Sequence, residues 1–371
     1  MDENSETTAR LILSDGSEFF GKSIGKKGTA IGEIVFTTTM TGYLETLTDP
    51  SYFGQIVVQT FPLIGNYGID EGDMESKKAW LSGYVVRDCC PKLSNFPSEK
   101  SLNDWLKKHE IVSIQGIDTR KLTKKIRQKG VMNCAITTEK NIDKSSILER
   151  IKKFKIQNAI QSVSTKSKQE YINKGKNLKI CLIDFGAKRN IIRNLLQRGA
   201  HVVVLPHNAT AEQIANLNPD GIMLSNGPGD PSENVEIIDN LREIQKLRIP
   251  MFGICLGHQL LGLANGAKTT KLKYGHRGAN QPVVDKTIGK TLITAQNHGY
   301  AIVEESLPSD IAMVSHYNAN DKTCEGIEYK KIPAFTVQFH PEACAGPLDT
   351  NYLFDRFFRL IYENKKIKGE F

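Results

Sequence analysis

Three side chains in this sequence have the types and spacing for nucleophilic acyl-transfer chemistry. Cys255 stands in Phe252-Gly253-Ile254-Cys255-Leu256-Gly257-His258-Gln259, with a glycine two residues to either side. An apolar segment leads in and an apolar helical pattern leads out. That is the layout of a nucleophile elbow, where a buried strand ends, a tight turn exposes one side chain and a helix starts at once. A helix N-terminus aimed at the sulfur favours the thiolate, the reactive form. A cysteine nucleophile needs a base to take and return a proton, and the base needs a partner to orient it. His340-Pro341-Glu342 offers both at the end of the apolar segment 335–339. In an extended chain, residues two apart share a side. Oxyanion donors are also required. The backbone N–H of Leu256 is one, and the loop Asn226-Gly227-Pro228-Gly229-Asp230-Pro231 offers another. Taken singly, each piece also reads as structural: a packed cysteine, a strand-end histidine, an ordinary turn. The conjunction favours chemistry.

These residues need a scaffold, and the second half of the chain supplies a pattern for one. Residues 179–183, 201–205, 221–224, 250–254 and 335–339 are short apolar strands. Between them 188–197, 211–217 and 235–247 carry helical periodicity, and Gly199 ends the first of these helices. Short strands alternating with helices predict an open, doubly wound, mostly parallel sheet, with the active site at the carboxyl ends of the strands. Cys255, the 226–231 loop and His340 all fall at such ends.

The first half reads differently. Segments 31–39, 55–60, 83–86 and 131–137 are rich in β-branched residues. Residues 102–109 look helical, and Asp118 or Thr119 caps a helix that carries Leu122 and Ile126 on one face and ends at Gly130. This predicts a strand-rich mixed domain, with turn-rich loops at 40–52 and 61–68. The expected division is a first domain over 1–140, a linker over 141–177 and the sheet domain over 178–371. From 140 to 176 there are ten Lys or Arg against three Asp or Glu, so most of the net charge of +8 lies in one segment, which reads as solvated linker. Aromatic residues interleaved with the basic ones would mark a nucleic-acid surface, and only Phe154 and Tyr171 occur there. No apolar run has membrane-spanning length. The polar start Met1-Asp2-Glu3-Asn4-Ser5-Glu6 is unlike a secretory signal, and seven scattered cysteines argue against a disulfide framework. A reducing cytoplasm is the expected compartment.

The elbow, the Asn-Gly-Pro-Gly-Asp-Pro loop and the His-Pro-Glu motif together resemble the class I glutamine amidotransferases. Thr41-Gly42-Tyr43, Thr48-Asp49-Pro50-Ser51-Tyr52, Ile64-Gly65-Asn66-Tyr67-Gly68 and Gly116-Ile117-Asp118-Thr119-Arg120 narrow the resemblance to the small, glutamine-hydrolysing subunits of carbamoyl-phosphate synthetases. Ala295-Gln296-Asn297-His298-Gly299-Tyr300 and Gly346-Pro347-Leu348-Asp349 agree. Cys344 stands where a serine is commoner, and Tyr300 where a phenylalanine is common.

The resemblance implies hydrolysis of L-glutamine through a cysteinyl thioester. Cys255 would be nucleophile, His340 general base and acid, and Glu342 its orienting carboxylate. Glutamine would contact Ser51, Gly227, Gly229, Leu256, Gln259, Asn297, Gly299 and Tyr300. The implied partner is a large subunit that binds ATP, Mg²⁺ and bicarbonate and makes carbamoyl phosphate for arginine and pyrimidine synthesis. The sequence has no Gly-x-x-x-x-Gly-Lys-Ser/Thr phosphate loop, so no cofactor and no metal are expected on this chain, nor nucleic acid or membrane as partners. The competing functions are a stand-alone glutaminase or γ-glutamyl hydrolase on the same fold, and a non-catalytic interaction protein.

Overall fold

The computed structural model describes residues 7–91, 101–173, 178–367 and Gly369. The polar start at 1–6 and the end of the expected linker at 174–177 lie outside the described residues. The chain divides into two compact units, Met1–Gln157 and Asn158–Phe371. Among the described residues no helix is long and apolar enough to cross a membrane.

In the first unit seven strands close into a barrel. Their order is Thr8–Leu13, Glu18–Gly25, Val112–Gln115, Gly83–Val85, Gln55–Gln59, Thr29–Thr37 and Met132–Thr137. The four strands from Val112–Gln115 to Thr29–Thr37 pair in parallel, and the remaining pairs are antiparallel. Closure leaves the barrel no unpaired edge. One core gathers Val35, Val57 and Tyr84 with Tyr43, Leu47 and Trp105. The helix Thr119–Lys129 forms as its sequence predicts. Asp118 accepts a hydrogen bond from the Lys121 N–H, Leu122 and Ile126 are buried, and Gly130 is the C-cap. The two polar loops meet. Tyr43 and Tyr67 stack at 4.3 Å, the Tyr67 hydroxyl accepts from the Gly42 N–H at 2.7 Å, and the Tyr43 hydroxyl donates to the Gly68 carbonyl.

The second unit holds a ten-stranded sheet. At its centre His201–Pro206, Lys179–Asp184, Gly221–Leu224, Met251–Ile254 and Ala334–Val337 run in parallel. Alternation along these strands divides the core in two. Ile180, Leu182, Val202 and Val204 face one side, with Ile191 and Leu195 of the helix Arg189–Gln197 and Phe354 and Phe357 of the helix Tyr352–Ile367. Cys181, Ile183, Val203 and Leu205 face the other, with Leu241 of the helix Val235–Ile244 and Leu260 of the helix Leu256–Ala264. Helices therefore cover both faces, as expected for a doubly wound sheet. Both margins of the sheet are antiparallel. Gln169–Tyr171 adds at one edge, and Cys324–Tyr329, Ala312–Asn318, Lys268–Asp285 and Lys290–Val303 add at the other.

The solvated linker expected at 141–177 is, where described, built into the two units. The helix Lys144–Lys153 buries Ile147 and Ile151 against Ile12 and Ala135 of the barrel unit. The helix Ala159–Val163 puts Ile160 into the sheet core, and Gln169–Tyr171 is a strand. Few apolar side chains hold these elements, and their basic residues face outward, so composition alone makes the segment look like linker.

Candidate active site

Cys255 follows directly on the strand Met251–Ile254 and is the N-cap of the helix Leu256–Ala264. Its backbone sits at φ 51°, ψ −101°, outside the regions ordinary residues occupy. Such a conformation costs about 1–3 kcal/mol and persists where the surroundings dictate it. They do so here. The Cys255 N–H donates to the Val337 carbonyl at 2.8 Å, and the Gly257 N–H to the Ser225 carbonyl at 3.0 Å. The turn is so tight that a Cβ on Gly257 would lie 2.5 Å from the Leu224 carbonyl oxygen, and one on Gly253 would lie 2.8 Å from Thr336 Cγ2. The glycine spacing read in the sequence is thus a packing requirement.

The neighbouring strand end brings the base. Ala334–Val337 pairs in parallel with Met251–Ile254, Val337 opposite Ile254. The strand stops at Val337, two residues short of the expected end at 339. The chain then turns through Pro341 and Glu342, with the Ala343 N–H donating to the His340 carbonyl at 3.2 Å. The pairing of His340 with Glu342 is therefore made in a turn and not by an extended chain. Its geometry is good: His340 Nδ1 lies 2.7 Å from Glu342 Oε1. Since the carboxylate oxygen accepts, Nδ1 carries the hydrogen and Nε2 is left to exchange a proton. No described residue hydrogen-bonds to that buried Nε2.

Lys188, which the sequence reading passed over, completes the set. Its Nζ lies 2.8 Å from Glu342 Oε1, and both side chains are buried. Burial disfavours the charged form of Glu342, but the Lys188 ammonium and His340 outweigh it and hold the carboxyl down at about 2. Glu342 thus stays ionised behind the histidine. A lone lysine just before a helix gives no pattern to find, since its partner lies far along the chain.

The remaining predicted residues divide by element. Gly227 and Gly229 follow the strand Gly221–Leu224, beside the Cys255 strand. A Cβ on Gly227 would lie 2.2 Å from the Phe185 carbonyl oxygen, so that loop packs backbone to backbone. Leu256 opens the helix, one turn before Gln259 closes its first hydrogen bond to the Cys255 carbonyl at 3.1 Å. Asn297, Gly299 and Tyr300 lie on the strand Lys290–Val303. The Cys255 thiol donates to the Asn297 carbonyl at 3.8 Å, and Gln259 Nε2 donates to the Tyr300 carbonyl at 2.7 Å. Ser51 belongs to the barrel unit, in a buried one-turn helix Pro50–Tyr52 where its N–H donates to Asp49 at 2.9 Å. The strand that presents Asn297 to Tyr300 went unrecognised in the sequence, although its Gln-Asn-His-Gly-Tyr motif did not.

Comparison with known proteins fits this division. Residues 11–136 match the model of the carbamoyl-phosphate synthase small chain, CPSase domain, and residues 181–360 match glutamine amidotransferase class-I. A carbamoyl phosphate synthase small chain of Bacillus cereus (strain ZK / E33L) is 50% identical over 361 residues, covering 97% of this chain and 98% of its own. The chain belongs to the carbamoyl phosphate synthase small chain family. A small chain from Fusobacterium nucleatum subsp. nucleatum is 49% identical over 359 residues, covering 96% of this chain and 99% of its own. Among solved structures, a putative GMP synthase component from Thermoplasma acidophilum covers 53% of this chain and 99% of its own, at TM-score 0.47 and 23% identity.

Beside Asn297 on the same strand, His298 joins a buried polar network. His276, His298 and Glu325 bring potential metal-ligating atoms within 4.8 Å of one another. Those groups are already engaged. His276 Nε2 lies 2.8 Å from Asp321, Glu325 accepts from Gln296 at 3.0 Å and from Asn318 at 3.2 Å, and His298 Nδ1 donates to the Tyr300 carbonyl at 2.8 Å. Burial lowers the pKa of His276, but Asp321 and Glu325 more than reverse this and raise it to about 9. Burial also pushes His298 well below its usual value. The arrangement reads as a brace for the 297–300 strand.

Proposed function

We propose that this chain hydrolyses the side-chain amide of L-glutamine and passes the ammonia to a separate large chain, as the glutamine-hydrolysing part of a carbamoyl-phosphate synthetase. One observation carries the reading: a buried thiol on a strained strand-to-helix turn, next to a strand end whose histidine is pinned by an ion-paired glutamate. In the first half-reaction His340 Nε2 takes the Cys255 thiol proton as the sulfur attacks the amide carbon. The oxygen of the tetrahedral adduct takes hydrogen bonds from the Leu256 N–H and from the 227–229 loop. His340 gives a proton to the departing nitrogen, ammonia leaves and a thioester remains. In the second half-reaction His340 takes a proton from water, the hydroxide adds to the thioester carbon, the C–S bond breaks to release glutamate, and His340 returns the proton to the sulfur.

Gly227, Gly229, Leu256, Gln259, Asn297, Gly299 and Tyr300 are the proposed glutamine contacts, with Ser51 added from the family resemblance alone. ATP, Mg²⁺ and bicarbonate belong to the large chain in this reading, and this chain contributes no cofactor. The carbamoyl phosphate would serve arginine and pyrimidine synthesis in the cytoplasm. The test is Cys255→Ser in the reconstituted complex. A serine hydroxyl ionises far less readily than a thiol, so glutamine-dependent synthesis should be lost while ammonia-dependent synthesis continues. Loss of both, with the complex intact, would refute the division of labour.

A further inference from the structure

Gln259 and Gln338 are two buried amides in contact, and their hydrogen bonds can be assigned from chemistry. The Tyr300 carbonyl oxygen can only accept, so the Gln259 atom 2.7 Å from it is Nε2. The same Nε2 lies 2.8 Å from a side-chain atom of Gln338. It can only donate there too, so that atom is Gln338 Oε1. Both hydrogens of the Gln259 amide are thereby committed inside the protein, and only its Oε1 is left to meet a ligand. A free glutamine side chain can rotate by half a turn and offer either a donor or an acceptor. This one offers an acceptor alone.

Gln338 looks unsuited to a purely structural part. It is fully buried, and its own Nε2 has no hydrogen-bond partner among the described residues. A buried unpaired donor is costly to leave in a fold. Its backbone is held independently, the N–H donating to the Glu325 carbonyl at 2.9 Å. What its side chain does is hold the Gln259 amide from behind.

We infer that Gln338 is a positioning residue that locks Gln259 as a hydrogen-bond acceptor, so that the site selects a substrate bearing an α-ammonium group. The inference rests on the glutaminase reading above. Gln259 lies one helical turn beyond Cys255, a rise of about 5 Å, and roughly 5 Å separates the amide carbon of an extended glutamine from its α-nitrogen. With the amide carbon at the sulfur, the α-ammonium therefore reaches the depth of Gln259. The locked oxygen accepts from an ammonium and repels a carboxylate, which fixes which of the two α-substituents faces Gln259.

The test compares glutamine with 4-carbamoylbutanoate, the same amide without the α-amino group, as substrates of the full chain. The variants are Gln338→Met, which removes the acceptor at similar volume, and Gln338→Glu, which keeps an oxygen facing Gln259. Wild type should favour glutamine in kcat/KM. In Gln338→Met the KM for glutamine should rise about tenfold with kcat little changed, the kcat/KM for 4-carbamoylbutanoate should stay within about twofold, and the preference should shrink accordingly. Gln338→Glu should restore most of it. The ratio of the two kcat/KM values does not depend on how much of a sample is folded, so partial misfolding leaves the result readable. Equal losses on both substrates, or an unchanged preference in Gln338→Met, would overturn the inference. A wild-type chain that hydrolyses neither substrate would instead refute the glutaminase reading.

Discussion

The two units treat charge in opposite ways. In the barrel unit ion pairs lie at the surface, as between Lys26 and Glu110 or Arg87 and Asp88, and Asp49 and Glu75 are the buried charged residues among those described. Asp49 is used locally, accepting from the Ser51 N–H. Exposed pairs of this kind contribute about 0–1 kcal/mol each. The sheet unit buries Lys188, His276, His298, Glu325, His340 and Glu342 in linked hydrogen bonds and ion pairs. Taking a charge out of water is expensive unless it is paired, and removing one partner then costs far more than the pair was worth. The same unit carries the strained backbone of Cys255. Buried charge and strain thus coincide with the proposed chemistry, whereas the barrel holds its loops with stacked rings and backbone hydrogen bonds.

Breaking the buried set should produce the largest effects. His340→Asn removes proton transfer and should lower glutaminase kcat by about a thousandfold or more. Glu342→Gln keeps the shape of the side chain but removes the charge that orients His340, and should cost less, roughly ten- to a hundredfold. Lys188→Met leaves Glu342 buried without its cation and should resemble Glu342→Gln, with a loss of stability as well, on the order of 3–5 kcal/mol. Initial rates of glutamate release and urea midpoints for the three variants give the ranking. Should Lys188→Met prove silent in both, the ion pair has no part in the site, and the contrast between the units weakens.

Sequence and structure agree best where geometry demands a residue type. Gly257 could be read because no other residue fits against Leu224, and the 119–129 helix because Asp118, Leu122 and Gly130 each occupy a recognisable position. The parallel strands were legible because strands buried on both faces are short continuous apolar runs. The antiparallel hairpin Lys268–Asp285 and Lys290–Val303 was not, because exposed and buried residues intermix along it and its register shifts twice. The 352–367 helix does carry a helical signal in the sequence, in the spacing of Leu353, Phe354, Phe357, Phe358 and Ile361, all buried. Lys188, Gln338 and Glu325 could not have been picked out, since each acquires its part only through a partner distant in sequence.

Acidity offers a second way to separate the units. Glu342 titrates at about 2 in the folded chain and near 4.3 when unfolded, so its stabilising contribution is present above pH 4.3 and is lost as pH falls through 2. His276 has the opposite sign. Its folded value of about 9 lies above the unfolded 6.5, so its contribution is complete below pH 6.5 and is lost as pH rises through 9. The sheet unit should therefore lose stability at both ends, on the order of 1–3 kcal/mol each. Urea unfolding followed from pH 2 to 10 measures this, and His276→Asn should flatten the alkaline limb. A wild-type midpoint that stays level from pH 6.5 to 9 would mean that Asp321 and Glu325 do not hold the His276 proton, and the brace for residues 297–300 would need another account.

The smallest expected effect lies in the barrel and is the sharpest check on the contrast. The Tyr67 hydroxyl accepts from two backbone N–H groups, Gly42 at 2.7 Å and Tyr43 at 3.3 Å, at the start of the helix Tyr43–Thr48. Gly42, the N-cap of that helix, has no side chain to do this, so a hydroxyl from the neighbouring loop takes the part that serine or aspartate usually fills. Tyr67→Phe removes the oxygen and leaves the ring stack with Tyr43 in place. One hydrogen-bond acceptor at a helix start is worth about 0.5–2 kcal/mol, and the loss should appear as faster amide exchange at Gly42 and Tyr43 and a slightly lower barrel midpoint. Because the oxygen belongs to no buried charge network, kcat for glutamine should remain within about twofold of wild type. A fall in kcat comparable to that of Glu342→Gln, with the melting unchanged, would show that the barrel loops take part in the chemistry itself, and the division between a supporting unit and a reacting unit would have to be abandoned.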